Sequence, residues 1–207
     1  MSLLIRSLLL FAVITGGATS CRGQRGGAAQ SPPPPSAAPP GAHQRPGEPK
    51  EFISEQGRFA ILFPGTPEEG QYTRSGRLDS RQYIFADEWA NYDVAYNDYD
   101  IDLEKDAEKR NYVLNGMRDA GVSKLDGRLL SEAEVSLDGH PGRALTVSIP
   151  DGSIIRVRMY VVGRRFYQVA VVTLGEQSAP GGERSAEARA MKYLNSFRLL
   201  TPAAGVR

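Results

Sequence analysis

Residues 153–173 read SIIRVRMYVVGRRFYQVAVVT, two runs of strand-forming residues around the dipeptide Gly163-Arg164. A two-residue loop at this dipeptide predicts a β-hairpin and fixes which residues face each other across it. The pairs on one face are Val161 with Phe166, Val157 with Ala170, and Ile155 with Val172. The pairs on the other face are Val162 with Arg165, Tyr160 with Tyr167, and Arg158 with Val169. The first face is apolar and the second is mixed, so a helix can cover each side of the sheet.

The neighbouring segments extend this hairpin into a larger sheet. Alternating apolar residues and turn signals predict further strands at 58–63, 68–74, 78–86, 91–96, 129–137 and 143–149. The turns Ser75-Gly76, Asp138-Gly139 and Asp151-Gly152 join sequential strands as antiparallel neighbours. Helical spacing predicts α-helices at 102–120, closed by Gly121, and at 185–195. The order predicts an α+β domain, an antiparallel β-sheet sandwiched between α-helices.

Four segments resemble the PsbP-like superfamily in the same order along the chain. They are Phe59-Ala60-Ile61-Leu62-Phe63-Pro64 with Pro67, Gly139-His140-Pro141-Gly142-Arg143, residues 158–167, and Leu194-Asn195-Ser196-Phe197. The resemblance covers about residues 51–200 and implies a PsbP-like α/β/α sandwich, used mostly as a binding or assembly module. Photosynthetic members of the superfamily support the oxygen-evolving complex, but no residue set here matches that role.

The first fifty residues are typical of an export signal and a tether. Residues 1–20 combine Arg6, a short apolar run and small residues, as secretory signals do. The single cysteine of the chain, Cys21, follows Ala18-Thr19-Ser20, which resembles a bacterial lipobox and predicts lipidation of Cys21. An ordinary signal peptide that leaves Cys21 as a free thiol is the alternative.

The segment after Cys21 lacks the residues that a folded core needs. Residues 22–49 contain eight prolines and five glycines and no aromatic residue, so residues 21–50 are predicted to be a disordered tether. The folded domain is then expected at 51–200 and a flexible tail at 201–207.

Charge and composition exclude several classes of function. The 207-residue chain carries 25 basic and 24 acidic side chains, and residues 51–207 have a net charge of −3. This balance argues against nucleic acid as a ligand of the domain. The sequence contains no phosphate-binding glycine motif, no His-Glu-x-x-His and no Cys-x-x-Cys, and we expect no cofactor.

A protein-binding surface is the first candidate site. Arginine and tyrosine are favoured at interfaces, and the mixed face of the hairpin combines them. Trp89, beside the turn predicted at Asp87-Glu88, is a second aromatic that a partner could contact. The candidate surface therefore comprises Trp89, Arg156, Arg158, Tyr160, Arg165 and Tyr167. The alternative is that these arginines pair with acidic helix residues and the tyrosines belong to the core.

Two weaker candidate sites would bind a metal ion or catalyse hydrolysis. Asp98, Asp100 and Asp102 could hold a calcium ion, although their spacing fails the EF-hand pattern and suits capping of the following helix. His140 could be a hydrolase base oriented by Asp138, but Asp-Gly before His-Pro-Gly is typical of a turn, and no Gly-x-Ser-x-Gly motif supplies a nucleophile.

The sequence thus favours a lipid-anchored bacterial envelope protein, exported from the cytoplasm, with a non-enzymatic domain that binds a protein partner. The alternative is a small-molecule or metal-ion carrier on the envelope, and the third hypothesis is a hydrolase that uses His140.

Overall fold

The computed structural model describes residues 48–74, 78–174 and 182–200, which contain ten strands and two helices. The strands are β1 (Lys50–Ser54), β2 (Phe59–Phe63), β3 (Glu68–Arg74), β4 (Leu78–Ala86), β5 (Ala90–Asp98), β6 (Arg128–Leu137), β7 (His140–Ser148), β8 (Ile154–Val162), β9 (Arg165–Thr173) and β10 (Arg198–Leu199). The helices are α1 (Ala107–Lys124) and α2 (Gly182–Asn195). The predicted signal peptide, Cys21, nearly all of the tether, the Ser75-Gly76 turn and the tail lie outside the described residues.

A seven-stranded antiparallel sheet forms the centre of the domain, in the order β3-β4-β5-β9-β8-β7-β6. The β8–β9 hairpin has the predicted register, with Tyr160 opposite Tyr167 and Val161 opposite Phe166. Gly163 begins the two-residue loop with a φ of 59°, a left-handed value that glycine adopts without strain. The α+β fold with its antiparallel sheet is confirmed.

Helix α1 covers one face of the sheet, but its predicted bounds were wrong at both ends. It begins at Ala107 because Asp106 caps it, accepting the N–H of Lys109 at 3.0 Å. Asp102 instead caps a separate turn by accepting the N–H groups of Glu104 and Lys105. The helix continues through Gly121, which is buried, and ends at Lys124.

The core beneath α1 is largely aliphatic. Leu114 and Met117 of the helix pack with Leu103 against the apolar face of the central hairpin. We call this group the aliphatic core; its strand residues are Leu145, Val147, Ile155, Val157, Met159, Val161, Phe166, Ala170 and Val172. The apolar face therefore lies under a helix, as the alternation of its residues predicts.

The other face carries α2 and a small second sheet that the sequence analysis missed. Strands β1, β2 and β10 form this three-stranded sheet. The core beneath it is rich in rings, and Phe59 has ring contacts with five other aromatic side chains: Phe52, Tyr83, Tyr96, Tyr167 and Phe197. We call this group, with Phe63, Tyr92, Tyr160 and Tyr193, the aromatic core.

Gly142 in β7 illustrates a position where the sheet admits only glycine. A Cβ atom here would lie 2.3 Å from the carbonyl oxygen of Met159 and 2.5 Å from the ring of Tyr160, which is its neighbour in β8. The ring of Tyr160 thus lies over the bare backbone of β7.

Candidate functional site

The structure buries the two tyrosines of the predicted partner surface. Tyr160 and Tyr167 are 3% and 2% exposed and belong to the aromatic core. The Tyr167 hydroxyl donates to the carbonyl of Gly57 at 2.7 Å and so fixes the turn between β1 and β2. A partner cannot reach either side chain in this fold, because α2 and the second sheet cover the mixed face.

Arg165 also has a structural role. Its guanidinium donates to both carboxylate oxygens of Asp98 at 2.6 Å and to the carbonyl of Gln56 at 2.7 Å. It lies 4.6 Å from the ring centroid of Tyr96, and its side chain is 11% exposed. Hydrogen bonding by Arg165 lowers the pKa of Asp98. These contacts tie β5, β9 and the β1–β2 turn together.

Arg158 is half-buried beside α2, and Arg156, two residues earlier on the same face of β8, is also half-buried. Arg158 donates to the carbonyl of Leu194 at 3.2 Å and to Oδ1 of Asn195 at 2.5 Å, which satisfies acceptors at the end of the helix. Arg156 donates to the hydroxyl of Thr173 at 3.4 Å. Both keep part of the side chain in solvent.

Trp89 is held at the turn between β4 and β5. Oδ1 of Asp87 accepts the N–H groups of Trp89 at 2.8 Å and Ala90 at 2.7 Å. The carbonyl of Trp89 accepts the N–H of Leu174 at 2.8 Å. The indole is half-buried, so its accessible part is presented in a fixed position. Of the six predicted surface residues, Trp89, Arg156, Arg158 and, to a smaller extent, Arg165 thus remain partly accessible.

The three aspartates proposed for a metal ion are engaged separately. Asp98 pairs with Arg165, Asp102 caps its turn and pairs with Lys105 at 3.2 Å, and Asp100 lies 4.0 Å from Arg164. Within the described ranges no group of three or more histidine, cysteine, aspartate or glutamate side chains is placed to hold a metal ion. The aspartates therefore act as caps and pair partners.

His140 has a carboxylate partner, but it is Glu104 and not the predicted Asp138. His140 Nδ1 lies 2.8 Å from Oε1 of Glu104, and Oε2 of Glu104 accepts the N–H of Gly163 at 2.7 Å. Asp138 occupies the first position of the β6–β7 turn with a φ of 52°. Glu104 therefore joins two hairpin turns, and in the part of the chain that the structure describes no serine, threonine or cysteine is hydrogen-bonded to His140.

Strand β6 offers a site that sequence reasoning missed. It is the last strand of the seven-stranded sheet, and its first seven residues are exposed. Because Asp138-Gly139 is a two-residue loop, Leu137 and His140 exchange backbone hydrogen bonds, and bonded and non-bonded pairs then alternate along the hairpin. Pro141, which lacks an N–H, lies opposite Ser136 at a non-bonded pair, in agreement with this pattern.

The alternation decides which backbone groups of β6 face outward. Ala133 and Val135 bond to β7, so the N–H and C=O groups of Glu132, Glu134 and Ser136 point away from the sheet. No strand pairs with them within the described residues. The site is thus a free edge with evenly spaced donors and acceptors.

The sheet face beside this edge is also accessible. Ser131, Thr146 and Arg156 form one row across β6, β7 and β8, on the face that carries α2. Ala133 and Ala144 lie in the next row, and all five residues are exposed or half-buried. We call this face together with the free edge of β6 the β6 surface.

Two glutamates on the opposite face of β6 differ in their partners. Glu132 pairs with Arg118 of α1 and with Arg143 of β7, both at 3.0 Å. Glu134 is exposed, and no ion pair is found for it among the described residues. The free edge therefore carries one carboxylate that makes no described ion pair, with Arg143 opposite it in β7.

The comparison with solved structures bears on the fold. The solution structure of cyanobacterial PsbP (CyanoP) from Synechocystis sp. PCC 6803 matches with a TM-score of 0.50 and 14% identity, over 80% of this chain and 99% of that chain. The domain has the PsbP-like fold. This confirms the resemblance seen in the sequence, and at this identity it describes the architecture alone.

Other matches to the PsbP-like domain are weaker. A protein from Bacteroides thetaiotaomicron matches with a TM-score of 0.41 and 12% identity, over 76% of this chain and 50% of that chain. The Ran-binding protein Mog1p of Saccharomyces cerevisiae matches with a TM-score of 0.41 and 12% identity, over 73% and 95%. No family model matches the chain, and no curated protein matches it.

Proposed function

We propose that this protein is a lipid-anchored bacterial envelope protein whose PsbP-like domain binds a protein partner or assembles with it, without catalysing a reaction. The observation that carries the proposal is the β6 surface. An exposed edge strand is usually shortened, covered or protected by charge, because its unpaired backbone groups invite another strand. Here ten residues of edge lie beside an accessible sheet face, and the simplest use for both is contact with a partner.

The polar groups inside the domain support a binding role. Arg165, Tyr167 and Glu104 each make contacts between distant segments and are occupied in holding the fold together. A catalytic site needs a nucleophile or base with a free reactive atom next to a site for substrate. The groups that the sequence suggested for catalysis, His140 and Asp138, serve the turns.

The proposed lipid anchor and the proposed export from the cytoplasm rest on the sequence. Cys21 would carry the lipid, and residues 22–49 would hold the domain away from the membrane. Neither described helix has the length and apolar content needed to span a bilayer. The domain would then lie on the extracytoplasmic side, where its partner must also be.

Native mass spectrometry of the protein, gently extracted from its own membranes, tests this function. We expect an added acyl mass on Cys21 and a second polypeptide in the complex. Ala133→Arg, which places a long side chain on the β6 surface, should release that polypeptide. Tyr112→Ala is the matched control, since Tyr112 is 79% exposed on α1 on the opposite side of the sheet.

Trp89→Ala distinguishes a partner bound at the β4–β5 turn from a partner bound at the β6 surface. If the polypeptide is lost with Trp89→Ala but kept with Ala133→Arg, the partner binds at the β4–β5 turn and the β6 surface is not the site. A protein that extracts as a monomer under all conditions would contradict the binding proposal.

A further inference from the structure

We propose that the free edge of β6 binds an extended strand of another polypeptide, in which basic residues alternate with small apolar residues. This inference rests on the proposed function and names the chemistry of the partner at the same site. Its elements are the backbone groups of the edge, the side chains on its two faces, and the charge that disfavours a second copy of this chain.

The backbone groups select an extended chain. The outward N–H and C=O groups of Glu132, Glu134 and Ser136 recur every second residue, which is the spacing of the partners that a β-strand offers. A helix or a loop cannot supply that series. Strand addition gives affinity through the main chain and leaves specificity to the alternating side chains.

The side chains of the added strand would meet two different environments. On the face that carries α2, their neighbours are Ala133, Val135 and Leu137, and the latter two pack against the aromatic core. Small apolar residues suit this face, since its own side chains are apolar and Ala133 is small. On the face that carries α1, the neighbours are Glu132 and Glu134, and opposite charges on adjacent strands stabilise the pair.

Glu134 contributes more of this charge preference than Glu132. Arg118 and Arg143 already bind Glu132, which leaves little net charge at that position. Glu134 has no described ion pair, so a lysine or arginine beside it would gain the interaction without displacing one.

Self-association through β6 is disfavoured by the same carboxylates. Outward residues bond to outward residues. Antiparallel self-pairing centred on Val135 would keep only residues 133–137 of the strand. The longer self-pairings are centred on Glu132, on Ala133 or on Glu134. Each of these registers places glutamates directly opposite each other, which destabilises a strand pair. Registers further toward the start of β6 meet the irregularity between Leu129 and Ser131.

Amide hydrogen exchange of the full chain with two capped peptides of the length of β6 tests the proposal. One peptide alternates lysine with valine and the other alternates glutamate with valine. We expect the lysine peptide to slow exchange at Glu132, Glu134 and Ser136, whose amides face outward. Exchange at Ala133 and Val135, which bond to β7, should change little.

Two variants connect this protection to the edge. Glu134→Lys should weaken binding of the lysine peptide about threefold or more, and should strengthen binding of the glutamate peptide. Glu108→Lys on the exposed side of α1 is the matched control and should change neither. Ser136→Pro removes one outward donor without breaking a bond to β7, and should also weaken the lysine peptide.

Three results would overturn the inference: no protection of the outward amides with either peptide, equal binding of both peptides, or protection that rises with protein concentration when no peptide is present. The last result would assign the edge to a second copy. If the peptides fail while a polypeptide still co-purifies from membranes and is released by Ala133→Arg, strand addition is wrong and the proposed function stands.

Discussion

Strands β9 and β6 belong to one sheet and have opposite surroundings. Eight of the nine residues of β9 are buried, with the aromatic core on one side and the aliphatic core on the other. Eight of the ten residues of β6 are exposed, and one of its edges has no neighbour among the described strands. Only two strands, β8 and β7, lie between them in the strand order.

This difference shows how the domain separates stability from recognition. Side chains of β9 hold both covering layers, so changes there should affect folding. Apart from Val135 and Leu137, which pack against the aromatic core, and Glu132, which pairs with Arg118, the side chains of β6 hold little beyond β7. Most of the strand can therefore vary or bind without cost to the core. If the comparison is correct, equivalent substitutions in the two strands will have very different effects on the free energy of unfolding.

The largest expected difference is between Phe166→Ala and Leu130→Ala. Phe166 in β9 is 1% exposed, and its loss should reduce the free energy of unfolding by about 3–5 kcal/mol. Leu130 in β6 is 44% exposed, and its loss should cost less than about 1 kcal/mol. Urea denaturation measures both. Similar costs for the two would remove the distinction between the strands.

The second difference is in the response to pH. Asp93 in β5 is fully buried; Gln82 donates to its Oδ2, while its Oδ1 and the Oε1 of Gln168 lack hydrogen-bond partners among the described residues. Burial raises the pKa of Asp93 to about 7. A proton on Oδ1 would also supply a donor on the face where Gln168 lies.

The sign of the effect follows from proton uptake. Between the unfolded pKa and about 7 the folded state holds a proton on Asp93 that the unfolded state has lost. Stability should therefore fall as pH rises through this window, by at most about 1.4 kcal/mol per pH unit, and level off above it. Asp93→Asn should flatten the profile and be more stable than the parent at about pH 8. An unchanged profile in the variant would show that Asp93 is not the group responsible.

The third expected effect concerns the contact that holds β9 to the β1–β2 turn. Arg165→Ala removes hydrogen bonds to Asp98 and Gln56, and we expect a loss of about 1–2 kcal/mol because the Asp98 carboxylate is partly solvated. The neighbouring Arg164 is 61% exposed, so Arg164→Ala serves as the control and should have little effect. Thermal denaturation of the two variants side by side is the measurement. Equal melting temperatures would contradict the structural role of Arg165.

The smallest effect is expected in β6 itself. Glu132→Gln breaks ion pairs with Arg118 and Arg143 that are partly open to solvent, and should cost about 0.5 kcal/mol. The cost should shrink further in high salt, since screening weakens such pairs. Denaturation at low and high salt measures it; a loss of several kcal/mol would mean that β6 is part of the stabilising core.

Most strands of the sheet could be predicted from the sequence, but the candidate binding site could not. The register of β8 and β9 follows from Gly163 and from alternating side chains, which are local signals. The bounds of α1 failed because Asp102 and Asp106 are both good caps, and only the contacts of the loop decide between them. The roles of Arg165 and Tyr167 depend on Gln56 and Gly57, more than a hundred residues earlier in the chain.

The free edge of β6 could not be predicted for a related reason. Its residues indicate a strand, and the turn at Asp138-Gly139 gives it one neighbour. Whether a second neighbour exists depends on the order of all seven strands, which includes the non-sequential pairing of β5 with β9. Topology, and not local pattern, leaves this edge open.

The most direct test of the β6 surface compares amide hydrogen exchange in two samples: the protein within the assembly extracted from its membranes, and the same protein purified alone. We expect the outward amides of Glu132, Glu134 and Ser136 to exchange at least about tenfold more slowly in the assembly. Unchanged exchange in β6, with new protection at the turn of Trp89 or along α1, would contradict the account.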